Sequence, residues 1–242
     1  MTDRTCVICG EGPVVKTHLL PRAVAHDIRG NVPTLWLGSI HHDGYELSQS
    51  GVFDWLLCAT HEAAIGKYET YAISFCRELT LTAQEVRQGS FKREGTDNDK
   101  LIRFACSVLW RFHASDLPAA KLVKLGTWEP ILRAITFDNA PVNRPDVIVA
   151  RYGPSKVADD KWATPPAMGK FDSRRVWAFV IYGMTFMIKL DQQSFSPSTK
   201  AALLNGRDFV VGPVKHLSPD LPDLSAITRR LTRPSKWNRP PR

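Results

Sequence analysis

The chain has 242 residues, 43% of them apolar, enough to bury a core in one large domain or in a small domain joined to a medium one. No run of about eighteen apolar residues occurs, which excludes a membrane-spanning helix; the first twenty residues hold Asp3, Arg4, Glu11 and Lys16 and no apolar segment, so no secretory signal is expected and the protein is read as cytoplasmic, with reduced thiols. The formal net charge of +8 favours a polyanionic partner over a membrane, because each Lys or Arg that neutralises a phosphate releases a counterion.

In chain order, Cys6-Val-Ile-Cys9-Gly10 is a compact knuckle, in which Gly10 permits the turn that aims both sulfurs at a common point. Val14 to Leu20 follows as a short extended stretch ending at Pro21. Residues 29–50, with Gly30, Pro33, Gly38 and Gly44 among polar residues, read as an insertion or loop. The spacing of Ala63, Ile65, Tyr68, Ala72, Phe75 and Leu79 predicts a helix from Cys58 to about Leu79. Thr82 to Lys100 is polar and charged and reads as a connection with a short helix at 82–88. Leu101 to Phe112 is the strongest helix signal, capped by Asn98 or Asp99. Its apolar residues surround most of the circumference, which makes it central to a second core.

Leu117–Leu125 and Pro130–Ile135 predict two shorter helices. Asp146–Tyr152 predicts a strand, and Val176–Tyr182 with Met184–Leu190 predict two more around a turn at Gly183. Trp177, Phe179 and Phe186 alternate as the core face of that sheet. Between these strands, residues 153–172, with Pro154, Pro165, Pro166 and Gly169, read as a long loop. Arg207–Val211 predicts a short edge strand. The expected fold class is α+β: a small unit over 1–80, a linker over 81–100, a mixed helical and antiparallel-sheet domain over 101–222, and a basic tail over 223–242. Arg229, Arg230, Arg233 and Lys236 of the tail, beside Trp237, read either as an arm along phosphates or as a solvated terminus.

Five cysteines occur. Cys76 and Cys106 lie in apolar helical patterns and read as small buried hydrophobes. The other three fall in metal-ligand spacing: Cys6-x-x-Cys9 is one close pair and Cys58-x-x-His61 another. Thiolates and an imidazole arriving as two pairs suit one structural Zn²⁺ in a closed tetrahedron. A separation of some fifty residues points to a knuckle plus a helix start, the treble clef. His41-His42-Asp43 reads as a solvated turn. Glu69, seven residues after Glu62, shares its helical face and reads either as a further metal ligand or as half of a salt bridge.

Between the two pairs lies Lys16-Thr-His18-Leu-Leu-Pro21-Arg22, and the second pair sits in Leu56-Leu-Cys58-Ala-Thr-His61-Glu62. Together these segments resemble the core of HNH nucleases, over about the first third of the chain. The resemblance implies a treble-clef, ββα-metal domain with Cys6, Cys9, Cys58 and His61 at the four zinc positions. It implies that His18 is the general base on water and that Glu62 stands where a histidine of the family binds catalytic Mg²⁺ or Mn²⁺. Arg22 is placed to grip a phosphate oxygen. Thr17 replaces the acidic residue that often precedes the base, and Phe53 replaces an asparagine. Asp54, one residue later, is the candidate substitute, although a one-residue slip turns a strand side chain to the other face.

The function expected from this resemblance is a metal-dependent endonuclease acting on nucleic acid, DNA before RNA. The alternatives are a catalytically inactive zinc-containing nucleic-acid-binding protein and a protein-interaction adaptor in a phage or host-defence setting.

Overall fold

The computed structural model describes residues 4–30, 35–38, 45–48, 51–153 and 162–215, with backbone alone at 35–38 and 45–48. The basic tail with Arg229, Arg230, Arg233 and Lys236, and the His41-His42-Asp43 turn, lie outside the described residues.

Strand β1 (Val14–His18) leads through Pro21 into helix α1 (Arg22–Arg29). The insertion expected over 29–50 holds two short paired strands, β2 (Leu35–Gly38) and β3 (Tyr45–Ser48). Strand β4 (Phe53–Cys58) returns antiparallel to β1 and runs directly into helix α2 (Ala59–Glu78), whose inner stripe is Ile65, Tyr68, Ala72, Ile73 and Cys76. The helix predicted from Cys58 to Leu79 is thus present almost to the residue.

The linker expected over 81–100 is instead built structure. Helix α3 (Ala83–Gln88) opens on a capping box, with the Thr82 hydroxyl accepting from the Glu85 N–H and the Glu85 carboxylate accepting from the Thr82 N–H. Strand β5 (Ser90–Glu94) follows. It escapes a hydrophobic pattern because Phe91 is its one apolar residue. Helix α4 (Asn98–Ala114) is capped one residue earlier than expected, by the Asp97 carboxylate accepting from the Lys100 N–H at 3.0 Å. Asn98 is buried and donates its amide to the Leu204 and Phe209 carbonyls. A single 3₁₀ turn, Pro118–Ala120, stands in the stretch 117–125 expected as a helix; a second, Gly126–Trp128, comes after it and leads into α5 (Glu129–Phe137).

The remaining strands are β6 (Asp146–Tyr152), β7 (Ala163–Phe171), β8 (Arg174–Ile181) and β9 (Met184–Lys189); the short helix α6 (Pro197–Lys200) precedes β10 (Phe209–Lys215). Their six-stranded sheet has the order β5-β10-β6-β9-β8-β7. It is mixed rather than antiparallel throughout, since β10 runs parallel to β6. Two strand expectations are corrected. The proline-rich segment 163–171 is a strand and not a loop: β7 is a sheet edge, and Pro165 and Pro166 sit where its register with β8 breaks, so no ladder N–H is lost. Strand β10 is interior rather than edge, because β5 pairs along its outer side.

Helix α4 is buried around most of its surface. Phe104 meets Phe179 and Phe186 edge-on at 5.9 and 5.3 Å, and those two rings stack at 5.1 Å. The two units expected from sequence share one continuous core, which runs from Cys6, Leu57 and Ile65 through Phe104 to Phe186 and Val210. A polar clasp joins them as well: Asp27 of α1 accepts from Arg77 of α2 and from the Tyr182 hydroxyl at the β8–β9 turn. Among the described residues no helix is long and apolar enough to cross a membrane.

Candidate metal centre and adjoining cleft

The knuckle is closed by backbone bonds from the Gly10 N–H to the Cys6 carbonyl, 2.8 Å, and from the Cys6 N–H to the Glu11 carbonyl, 2.7 Å. Gly10 takes a φ of +74°, where a side chain would be strained. The Val7 N–H reaches the Leu56 carbonyl, so the knuckle docks beside the end of β4. There Cys58 ends the strand and His61 lies in the first turn of α2. The ligand atoms of Cys6, Cys9, Cys58 and His61 all fall within 4.8 Å of one another. His61 Nδ1 is 3.5 Å from Cys6 Sγ and 3.2 Å from Cys58 Sγ, and Cys9 Sγ is 4.0 Å from Cys58 Sγ. A tetrahedron with Zn–S of about 2.3 Å and Zn–N of about 2.0 Å has edges of roughly 3.5–3.8 Å. These four donors can therefore hold a metal ion such as zinc.

Burial pushes the Cys6 thiol up, but hydrogen bonds from the backbone of Cys58, Cys9 and Ile8 outweigh it and bring the group down to about 6, which favours the ligating thiolate. The later part of the chain braces the centre. Arg133 of α5 donates to the Ile8 carbonyl, and the His61 ring meets Phe137 edge-on at 5.6 Å.

Beside the centre opens a cleft of about 470 Å³ lined by Val15, Lys16, His18, Arg22, Glu62 and Glu69. Strand β1 supplies His18, the start of α1 supplies Arg22, and one face of α2 supplies both glutamates. The cleft thus brings together His18, Arg22, Glu62 and Glu69, all four of them candidates from the sequence. Burial raises the Glu62 carboxyl above its ordinary range, and the Glu69 carboxylate adds to this. The Arg111 guanidinium and a hydrogen bond from Thr17 oppose it without cancelling it. Glu62 Oε2 is buried with no hydrogen-bond partner among the described residues.

Asp54 is not among the residues lining the cleft. It pairs across the hairpin with Thr17, on the inward face, where it accepts from Ser115 Oγ at 2.7 Å, from the Trp55 N–H at 2.7 Å and from Arg4 at 3.3 Å. Its job there is to tie the hairpin to the end of α4. Thr17 is fully buried and its hydroxyl accepts from the Leu57 N–H.

One residue that supports the site carries only a faint sequence signal. Arg111 of α4 has no exposed surface, pairs with Glu69 at 2.6 Å and donates to the His18 carbonyl. Its position in the run Leu109-Trp-Arg-Phe112, on a helix apolar nearly all round, was the available hint: a charge there needs a buried partner. Comparison with protein-family models, with curated proteins and with solved structures returns no match to this chain.

Proposed function

We propose that this chain is a zinc-stabilised, HNH-like endonuclease that hydrolyses phosphodiester bonds with a divalent cation. The observation that carries the reading is the meeting of His18, Arg22 and Glu62 in one cleft beside the Cys6–Cys9–Cys58–His61 cluster. Three thiolates and an imidazole are the donor set zinc prefers, and with all four positions filled by protein the ion takes no part in chemistry. The order of knuckle, β1–β4 hairpin and α2 supports a treble clef. In it the zinc clamps the strand bearing His18 against the helix bearing Glu62.

In this reading His18 accepts the proton of the attacking water, and Arg22 binds a non-bridging phosphate oxygen. The buried, unpartnered Glu62 Oε2 is a hard oxygen donor suited to Mg²⁺ or Mn²⁺. When bound, that cation neutralises charge on the phosphate and on the leaving oxygen. Glu69 borders the same space, and Arg111 holds it in place while also fixing the backbone at His18. Asp54 has no chemical role here.

Binding without turnover is the second reading. It is favoured by Thr17, which is buried where the resemblance leads one to expect an acidic metal ligand, and by Phe53, which replaces an asparagine. The test incubates wild type and His18→Ala with plasmid DNA and with RNA, in Mg²⁺, in Mn²⁺ or with neither added. The nuclease reading expects cation-dependent cleavage that the variant loses. Equal cleavage by both proteins removes His18 from the mechanism, and salt-dependent binding without cleavage in any metal selects the second reading.

A further inference from the structure

We infer that the outward face of the β1–β4 hairpin is a stacking platform for unpaired nucleobases, which makes single-stranded nucleic acid the substrate class. The inference rests on the nuclease reading of the adjoining cleft and deepens it.

Side chains alternate across a two-stranded sheet, and the register here pairs His18 with Phe53 and Lys16 with Trp55. Thr17, Asp54 and Leu56 turn inward and are buried. The outward face therefore carries Lys16, His18, Phe53 and Trp55. His18 and Phe53 are 5.8 Å apart between ring centroids, and Phe53 meets Trp55 edge-on at 6.4 Å. The Lys16 ammonium sits 4.7 Å from the Phe53 centroid. The rings thus lead from His18 across the hairpin to Phe53 and from Phe53 along β4 to Trp55, with Lys16 beside them and Arg22 in the cleft.

Packing does not account for Trp55, which is 42% exposed. An indole left that open forfeits much of the burial that makes tryptophan worth placing, and a β-branched residue would hold the strand as well. Its neighbours say what covers it. A phosphate held by Arg22 at His18 carries its next nucleotides outward, and stacked nucleotides rise about 3.4 Å each, so the two ring-to-ring steps are reached within a few residues of strand. Every base has a π-face that an aromatic side chain can stack on, and nearby cations hold the backbone. A duplex buries those faces in its own stack and would offer Trp55 only sugar and phosphate. The cations and the net charge of +8 select a polyanion over an apolar protein surface.

The experiment measures binding of fluorescent twelve-nucleotide single-stranded DNA, single-stranded RNA and duplex DNA by anisotropy, at fixed salt and with no Mg²⁺ or Mn²⁺ added, so that nothing is cleaved and structural zinc is left in place. Wild type is compared with Trp55→Ala and Trp55→Phe, each checked by thermal melting. Single strands are expected to bind tighter than duplex, Trp55→Ala to weaken them about tenfold while leaving duplex binding unchanged, and Trp55→Phe to keep most of the affinity. The tighter of the two single-stranded arms identifies the sugar. Unchanged single-strand affinity in Trp55→Ala, a preference for duplex, or no binding of either overturns the platform. Because binding is read without turnover, a protein that stacks single strands through Trp55 but never cleaves sinks the nuclease reading alone. Cleavage that needs His18 beside binding indifferent to Trp55 sinks the platform alone.

Discussion

Arg111 carries a full charge with no exposed surface, and its guanidinium joins two things that sequence places far apart: Glu69 of α2 and the carbonyl of His18. A buried cation costs several kcal/mol in lost hydration and is tolerated when its partners are in place. Arg111→Met is expected to leave the Glu69 carboxylate without its counter-charge and to lower unfolding free energy by about 3–5 kcal/mol, measured by urea denaturation. The double variant Arg111→Met, Glu69→Gln should recover part of that loss. A single variant as stable as wild type would show that the pair is solvated. The candidate metal ligands behave differently at this scale. Wild type should carry about one zinc per chain by elemental analysis, and Cys58→Ser should lose most of it together with several degrees of melting temperature. Full zinc content in Cys58→Ser would remove that residue from the ligand set. The four candidate ligands were legible because metal chemistry imposes local spacing, Cys-x-x-Cys and Cys-x-x-His, which a sequence displays. Arg111 was not, because its partners lie 42 and 93 residues away and nothing local marks the pairing.

At the level of elements, helices α2, α4 and α5 were readable from periodicity because each buries a stripe or more of its surface. Strands β5 and β7 were not. Strand β5 has one buried apolar residue, and β7 exposes most of its length and contains two prolines. Edge strands are held by a neighbour's hydrogen bonds more than by their own apolar pattern. Strand β10 reads as an edge in the sequence because β5, the strand that covers it, has no apolar pattern to announce it. The start of α3 offers a test at this scale. Hydrogen bonds from Arg93 and from the Thr82 N–H hold the Glu85 carboxyl at about 2, against an ordinary 4.5. Since the folded value lies below the unfolded one, Glu85 stabilises the fold above about pH 4.5, and that contribution fades as pH falls toward 2. Glu85→Gln should therefore flatten the acid limb of a stability–pH curve between those values. Thr82→Ala should cost about 1 kcal/mol at neutral pH. An unchanged acid limb would mean that the Arg93–Glu85 contact is not formed in solution.

At the scale of the whole molecule, the unit that carries the Cys6–Cys9–Cys58–His61 cluster and the sheet share one core among the described residues. Helix α4 packs on α2 and on the sheet alike, α5 braces the Cys6–Cys9 knuckle, and Asp27 gathers Arg77 and Tyr182. In the sequence, two apolar helices either side of residues 80–100 each suggest a core of their own; that they share one depends on long-range contacts with no local signature. A fragment ending at residue 80 is expected to stay unfolded with zinc present, since Leu57, Ile65 and Tyr68 would lose the α4 side of their core. Its test is near-ultraviolet circular dichroism, where a native-like spectrum from the fragment would contradict the shared core. This architecture gives the catalytic reading its logic: a remote helix and a metal clamp together fix the strand that presents His18. The decisive measurement is the single-turnover rate of oligonucleotide cleavage in Mn²⁺ by wild type and His18→Ala, both with full zinc content. The account predicts a rate at least about a hundredfold lower in the variant, and equal rates, or no cleavage by either, would contradict it.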